Sequence, residues 1–448
     1  MKKITLLCSF LFLTPVFAQD HFSGINTSQR VSILNSQINP AELVNLNSKY
    51  EVNVFGISIN AANNKVGIGD LDSDDLEDLI FRGSEPINLR FDSEINFPSF
   101  AMRLDKWAFG IGVKAYAKLD LVDIDVNIGD AIVSDGSNAI LNSTTVANNY
   151  NQRLYGTTWG EVALTAAREV FENDKHKFSA GATLKLLFPG SFANFGADKF
   201  TGTFNKAVDV NTLSDAQANL NFSYSGNLGD SFTDANDYSS SLFGGLNGAS
   251  VDLGANYQWK DTDGKNYKIN AGIAFRNMGS MTFKDDNNAD TDYNLSIQGA
   301  ESLDLDQFED AESLADVETI LLNSGYLDKT ENNNTEFKVR LPAVFSAYAD
   351  FKVVPKFYVT LYTKQKLNDE KANDQITTQN VISLTPRFIW KGIEVWSPWA
   401  SNEVSGISGG LGFRAAGFYI GSGSAITALL TDAKQADFYL GYSFGFRK

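Results

Sequence analysis

The sequence predicts an all-β chain: a transmembrane antiparallel β-barrel of about 14 strands, with a short N-terminal luminal hatch and long extracellular loops. Three observations carry this expectation. Apolar residues recur with period two over segments long enough to cross a bilayer at a tilt, which takes roughly 9–11 residues. Tryptophans fall near segment ends, at Trp107, Trp259, Trp390, Trp396 and Trp399, where an interfacial girdle would lie. Short and long connections alternate along the chain. A soluble sandwich shares the first feature, with its apolar faces meeting in a core, but has no reason to gather its long loops at one end.

The N-terminus is read first. Met1-Lys2-Lys3 is a short positive stretch, Ile4 to Phe17 is mostly apolar, and Val16-Phe17-Ala18 places small residues at a cleavage site. Residues 1–18 therefore read as a secretory signal peptide. Cys8, the only cysteine, lies inside that stretch behind Leu7, where a lipoprotein site needs a small residue. The exported chain is expected to have no disulfide and to rest on burial and backbone pairing. Residues 19–48 follow as an N-terminal hatch or periplasmic segment, and 49–448 as the barrel.

Strands are expected near 50–60, 87–104, 107–119, 153–168, 176–188, 249–259, 266–277, 337–351, 356–367, 378–390, 393–400, 406–414, 417–423 and 436–446. In the third, Trp107, Phe109, Ile111, Val113, Ala115, Ala117 and Leu119 alternate with Gly110, Gly112, Lys114, Tyr116 and Lys118. The last is an assembly strand with Phe438, Leu440, Tyr442, Phe444 and Phe446 on one face, and Asp437, Tyr439, Gly441, Ser443 and Gly445 on the other. Successive side chains point to opposite faces, so each segment has one apolar and one polar or small face. Tight turns fall at Asp105-Lys106, Glu172 to Lys175, Lys260 to Lys265 with its Asp263-Gly264 hairpin dipeptide, Lys352 to Pro355, Lys391-Gly392 and Ala415-Ala416. All six then share the periplasmic end. The long connections 61–86, 120–152, 189–248, 278–336 and 424–435 face the exterior.

The connection 278–336 holds 15 Asp/Glu against Lys284 and Lys329 alone. Leu314, Val317 and Leu321 recur in it at helical spacing, which predicts a short surface helix. With 54 acidic against 37 basic residues, a formal charge of −17, the chain is no nucleic-acid binder. After the N-terminus no apolar run reaches the roughly 18 residues of a membrane helix. The 33 Phe and 16 Tyr set it apart from disordered chains.

Nothing points to catalysis. The two histidines, His21 and His176, do not cluster with a cysteine or with each other, so neither a zinc site nor a His-based acid/base site is expected. Gly406-Ile407-Ser408-Gly409-Gly410 matches a nucleophile elbow in letters only, for no histidine follows it. Asp70, Asp72 and Asp74 have the opening spacing of a calcium loop. Asp75 stands where that loop needs Gly, and Phe81 where it needs Glu; the three are weak metal candidates at most. No enzyme activity and no cofactor are expected.

Asn39-Pro40-Ala41-Glu42-Leu43 stands between the signal region and the first strand, and Asp105-Lys106-Trp107-Ala108-Phe109-Gly110-Ile111-Gly112-Val113 forms a turn and a glycine-alternating strand. Together with the C-terminal aromatic strand these resemble the FadL-type outer-membrane transporters of hydrophobic compounds, and most closely the FadL-like barrels of Bacteroidota. The resemblance implies a 14-stranded barrel in the outer membrane with residues 19–48 as hatch and Asn39, Pro40 and Ala41 at its turn. It implies passive transport of small hydrophobic molecules through a lumen opened by hatch movement. The alternative is a structural or accessory barrel of a larger secretion or barrel-assembly complex. Expected partners are outer-membrane lipid, the barrel-assembly machinery, a hydrophobic ligand and other envelope proteins. The chain departs from the family pattern in ending Phe446-Arg447-Lys448 and in its acidic loop, which would repel a fatty-acid carboxylate.

Overall fold

The computed structural model describes residues 21–133, 142–207, 210–231, 241–262, 266–308, 310–330 and 336–446. The signal-peptide reading of residues 1–18 and the Asp263-Gly264 turn lie outside them.

Fourteen antiparallel staves form a closed ring. They are β1 (Tyr50–Asn63), β2 (Ile87–Asn96, continued by Ser99–Leu104), β3 (Trp107–Ile124), β4 (Asn151–Glu172), β5 (His176–Ala207), β6 (Gly248–Lys260) and β7 (Tyr267–Phe283). The second half is β8 (Phe337–Arg340, continued by Val344–Val354), β9 (Phe357–Lys366), β10 (Val381–Trp390), β11 (Ile393–Trp396, continued by Trp399–Asn402), β12 (Gly406–Gly409, continued by Leu411–Ala415), β13 (Phe418–Ser422) and β14 (Gln435–Phe446). Each stave pairs with the next, and β1 closes the ring by pairing with both β2 (Ile57 opposite Ile95) and β14 (Ile57 opposite Leu440). Closure leaves no free edge stave, as strands that cross hydrocarbon require; among the described residues the Gly406–Gly409 part of β12 lacks a strand on one side. Four hairpins turn on left-handed residues: Asp105 (φ 52°), Lys356 (φ 72°), Lys391 (φ 54°) and Ala416 (φ 54°).

The outward face is greasy and the inward face polar. On β3, Trp107, Phe109 and Ile111 are exposed while Lys114, Lys118 and Asp120 are buried. On β14, Phe438, Tyr442, Phe444 and Phe446 are exposed, Leu440 is half-buried, and Asp437, Tyr439 and Ser443 are buried. In water this would be inside out; it is the arrangement of a barrel wetted by lipid. No described helix is long and apolar enough to cross a membrane.

Two expectations are corrected. Trp396 does not join an outer girdle: it is buried on the lumen face, packed against Phe22, Ile25 and Leu34. The stretch 189–248 is no simple connection: β5 runs 32 residues to Ala207 and turns back through Val210–Ser225. Pro189-Gly190 reads as a turn, but Pro189 pairs with Trp159 of β4 at a register shift, a bulge that proline tolerates. Above it, β5 carries a lobe of strands Asn142–Ala147, Val210–Ser225, Ala289–Ser296, Ser302–Asp304 and Leu327–Lys329. Its core includes Phe200, Phe204, Phe222 and Tyr293. The acidic connection thus holds strands as well as the expected helix, Leu314–Ser324, whose Leu314 and Leu321 are buried in the lobe core with Val317 packed against it.

Candidate functional site: the occupied lumen

Residues 21–47 lie inside the ring, toward the end where β1 begins and β14 finishes. Three short helical pieces shape the segment, Ile25–Thr27, Ile33–Ser36 and Pro40–Asn45, and the last two carry side-chain caps. Ser32 caps Ile33–Ser36; Asn39, held extended before Pro40, caps the 3-10 turn Pro40–Asn45 by accepting the Ala41 amide at 3.0 Å. The segment meets the wall through apolar clusters, Phe22, Ile25 and Leu34 with Trp396, Tyr419 and Tyr439, and Ile33, Leu43, Val44 and Leu46 with Ala101, Ala108 and Ala167, and through hydrogen bonds. The fully buried Arg387 of β10 donates from Nη1 to Thr27 O at 3.0 Å, from Nη2 to Thr27 Oγ1 at 3.1 Å, and from Nη2 to Gly24 O. Its Nε lies 3.0 Å from Glu394, whose Oε1 also accepts the Ser28 hydroxyl at 2.5 Å. Trp396 and Tyr439 both donate to Ser23 O. Glu42 accepts from Asn256, Asn270 and Tyr348.

Asn39, Pro40 and Ala41 lie directly on the wall where three glycines replace side chains. A Cβ at Gly181 of β5 would stand 2.6 Å from Ala41 N and the Pro40 carbonyl carbon. At Gly254 of β6 it would meet Asn39 Oδ1, and at Gly272 of β7, Asn39 Nδ2. Asn39 Nδ2 donates to Ala255 O at 2.9 Å. Gly181 therefore serves close approach of the Pro40–Ala41 backbone, and Gly254 and Gly272 make room for the Asn39 side chain.

Above this segment is a chamber. A cavity of about 110 Å³ is lined by Lys114, Lys118, Lys185 and Arg276 with Asp92, Glu94 and Glu161. Lys114 pairs with Glu94 at 2.9 Å, Lys185 with Asp252 at 2.9 Å, and Lys118 with Asp92. His21 reaches the same place, 2.9 Å from Ser58 Oγ and 3.2 Å from Asp92. Buried charges tolerate such a site only as pairs.

The chamber is roofed from the other side by the connection 367–380. The buried guanidinium of Arg153 donates to three of its carbonyls, those of Glu370, Asn373 and Gln375, and Thr377 donates to Asp120. Between those anchors Ile376 is buried in a nest of wall residues that includes Tyr155, Trp159, Leu187, Phe192, Phe283 and Phe337. Trp159 stacks on Tyr116 at 4.5 Å, joining nest to chamber.

The other residues singled out in the sequence fall elsewhere. Asp70 Oδ2 accepts the Gly67 amide at 2.9 Å, in a 3-10 turn beyond the end of β1. Among the described residues no group of three or more His, Cys, Asp or Glu is gathered as metal ligands, and Asp72 and Asp74 are not brought into one with Asp70. His176 contacts Tyr257 at 2.8 Å, far from His21 in the chain. Ser408 is buried on a strand rather than at a strand-to-helix turn. Sequence reading missed Arg387, Arg153 and Ile376, whose partners are distant in the chain. It also missed the glycine cradle, for which interior-strand glycines were the available signal.

A family model described as a family of unknown function, DUF5723, matches residues 40–423. The chain belongs to this family. No curated protein matches it. Among solved structures it is similar to a deletion mutant of the TodX monoaromatic hydrocarbon channel, at 12% identity over 93% of this chain and 95% of that one, TM-score 0.48. It is also similar to the Ralstonia pickettii toluene transporter TbuX, at 9% identity over 93% and 94%, TM-score 0.34. The translocator domain of the Neisseria meningitidis autotransporter NalP matches at 8% identity over 94% and 97%, TM-score 0.33.

Proposed function

We propose that this DUF5723 member is a passive transporter of small hydrophobic molecules in the outer membrane, shut at two levels in the described state. One observation carries the reading: the apolar nest beneath the loops is filled by Ile376, which belongs to a connection and not to the wall. A residue on a connection can leave, and what it vacates is a concave apolar site with aromatic lining, the usual form of a small-molecule pocket. Residues 21–47 form the second closure, and Asn39, Pro40 and Ala41 its bearing on the wall. The lipid-facing belt supplies the membrane partner.

The test uses a deletion strain and a panel of radiolabelled hydrocarbons. Deletion slows uptake of at least one, and the wild-type chain restores it. A chain with Asp120→Cys and Thr377→Cys, positions in hydrogen-bond contact, restores uptake only after reduction. Uptake unchanged across the panel overturns the reading.

A second reading, an accessory barrel of a larger envelope complex, is favoured by the lobe with its own hydrophobic core raised on β5. It predicts stable co-purification with other envelope proteins in mild detergent; isolation as a bare monomer counts against it.

A further inference from the structure

The ring is not built to one height. Stave β13 has five residues, Phe418–Ser422, about half of what a tilted strand needs to cross hydrocarbon. It pairs with β12 only over Leu411–Ala415 and with β14 only over Tyr439–Tyr442. Beyond Ser422, the Gly406–Gly409 part of β12 keeps its partner β11 on one side and has no strand on the other. The helix Ala425–Leu430 takes that place, packing against both β12 and β14. Thr427 Oγ1 accepts the Gly409 amide at 3.2 Å and donates to Ser424 O at 2.9 Å. Asp437 of β14 accepts the Gly423 amide and the Ser424 hydroxyl from the lumen side. The helix is thus a panel of the wall, substituting for a strand.

Its outer side has no protein partner among the described residues. Leu429 is 86% exposed, Leu430 77%, and Ile407 of the same sector 76%; no other described large apolar side chain is as open. From Phe418 to Thr431 there is no charged residue, and charge returns at Asp432, which is anchored to the Gly69 amide. The surface is continuous along β12 with the greasy belt, through Leu411 and Phe413, both exposed. An apolar, uncharged surface that extends a lipid-facing belt suits acyl chains.

We propose that Ala425–Leu430 is seated in the outer leaflet, with Leu429 and Leu430 immersed in acyl chains, so that this sector of the barrel meets lipid through a helix. This rests on the membrane-barrel fold and not on transport.

The test exploits the cysteine count. With Cys8→Ser the chain has no cysteine, so Leu429→Cys and Leu430→Cys each carry a single nitroxide in the full-length protein, folded into phosphatidylcholine vesicles. Phe413→Cys marks the lipid belt and Lys199→Cys, on the lobe, marks water. Leu429 and Leu430 are expected to match Phe413, with oxygen accessibility several-fold above the Lys199 site relative to a nickel chelate. Values matching Lys199 overturn the proposal by placing the helix in water. Low accessibility to both probes overturns it by placing another protein chain there. If Phe413 itself matches Lys199, the lipid-facing reading of the barrel fails, a separate result.

Discussion

Replacing Arg387 with Met tests whether the N-terminal segment is held in the lumen as the geometry requires. Methionine keeps much of the side-chain volume but removes the donors to Gly24 O, Thr27 O and Thr27 Oγ1. It also leaves Glu394 and Asp350, both fully buried, without their cation. Breaking a buried pair by removing one partner costs about 3–5 kcal/mol. The carboxylates and the segment share that cost, because the Ser28 hydroxyl keeps Glu394 company only while the segment is seated. At about 1.4 kcal/mol per decade, loss of only the lower figure changes the released-to-seated ratio by roughly 100-fold. Hydrogen exchange by mass spectrometry on peptides spanning residues 21–47 reads this directly: protection falls by roughly that factor while the staves keep theirs. The heat-modifiable gel shift of the folded barrel should persist. Unchanged protection of 21–47, with the barrel intact, refutes the idea that Arg387 is the principal clamp.

Two further substitutions probe separate contacts. Gly181→Ala pushes a methyl group against the Pro40–Ala41 backbone at 2.6 Å; overpacking of this kind costs about 1–3 kcal/mol. The same exchange measurement should show 21–47 loosened, whereas Gly325→Ala, with open space around its Cβ position, strains only the helix end in the lobe. In that lobe, Ser313→Ala removes the cap of Leu314–Ser324, worth about 1 kcal/mol, seen as faster exchange of its first turn. Hydrogen bonds from Ser313 hold the Asp316 carboxyl below the usual aspartate range. Its contribution is therefore present above about pH 4 and is lost as pH falls through the lowered value. Acid titration followed by exchange should loosen this helix before the barrel.

The staves were legible because each must satisfy two solvents at once. A strand with lipid on one side and a polar interior on the other has no freedom in its alternation, so Phe438 to Phe446 could be assigned to one face from the letters alone. The helix at Leu314 was legible for a similar reason, from the helical spacing of Leu314, Val317 and Leu321; its Ser313 cap and Gly325 end emerge only in the structure. The extension of β5 was not, because Pro189-Gly190 is a turn signal by propensity and a bulge by context. The lumen was the least legible part. Arg387 meets Gly24 across 363 positions of sequence, and no periodicity records a pairing of that kind. Gly181, Gly254 and Gly272 did carry a message, since glycine weakens a strand interior unless something must come close.

On the proposed transport reading, the two closures would open in an order set by their chemistry. The lower one combines apolar burial of Phe22, Ile25, Leu34 and Leu43 against the wall with hydrogen bonds, those from Arg387 among them, that no apolar solute can replace. The upper one is anchored by Arg153 and Thr377, but it also fills an apolar nest with Ile376, whose place water cannot take and an apolar solute can. A hydrocarbon therefore competes with the connection 367–380 and has no means of competing with Arg387 for Thr27. A solute that has displaced Ile376 next faces Lys114, Lys118 and Lys185 with their carboxylates, and it cannot pair with any of them. It can leave the nest downward only once that chamber is continuous with water, which requires the segment 21–47 to have moved first. Truncating Ile376 alone should then let hydrocarbon bind without crossing. Truncating it together with Arg387→Met should let it pass, and hydrocarbon flux through the Ile376→Ala single variant in vesicles equal to that of the double variant would refute the order.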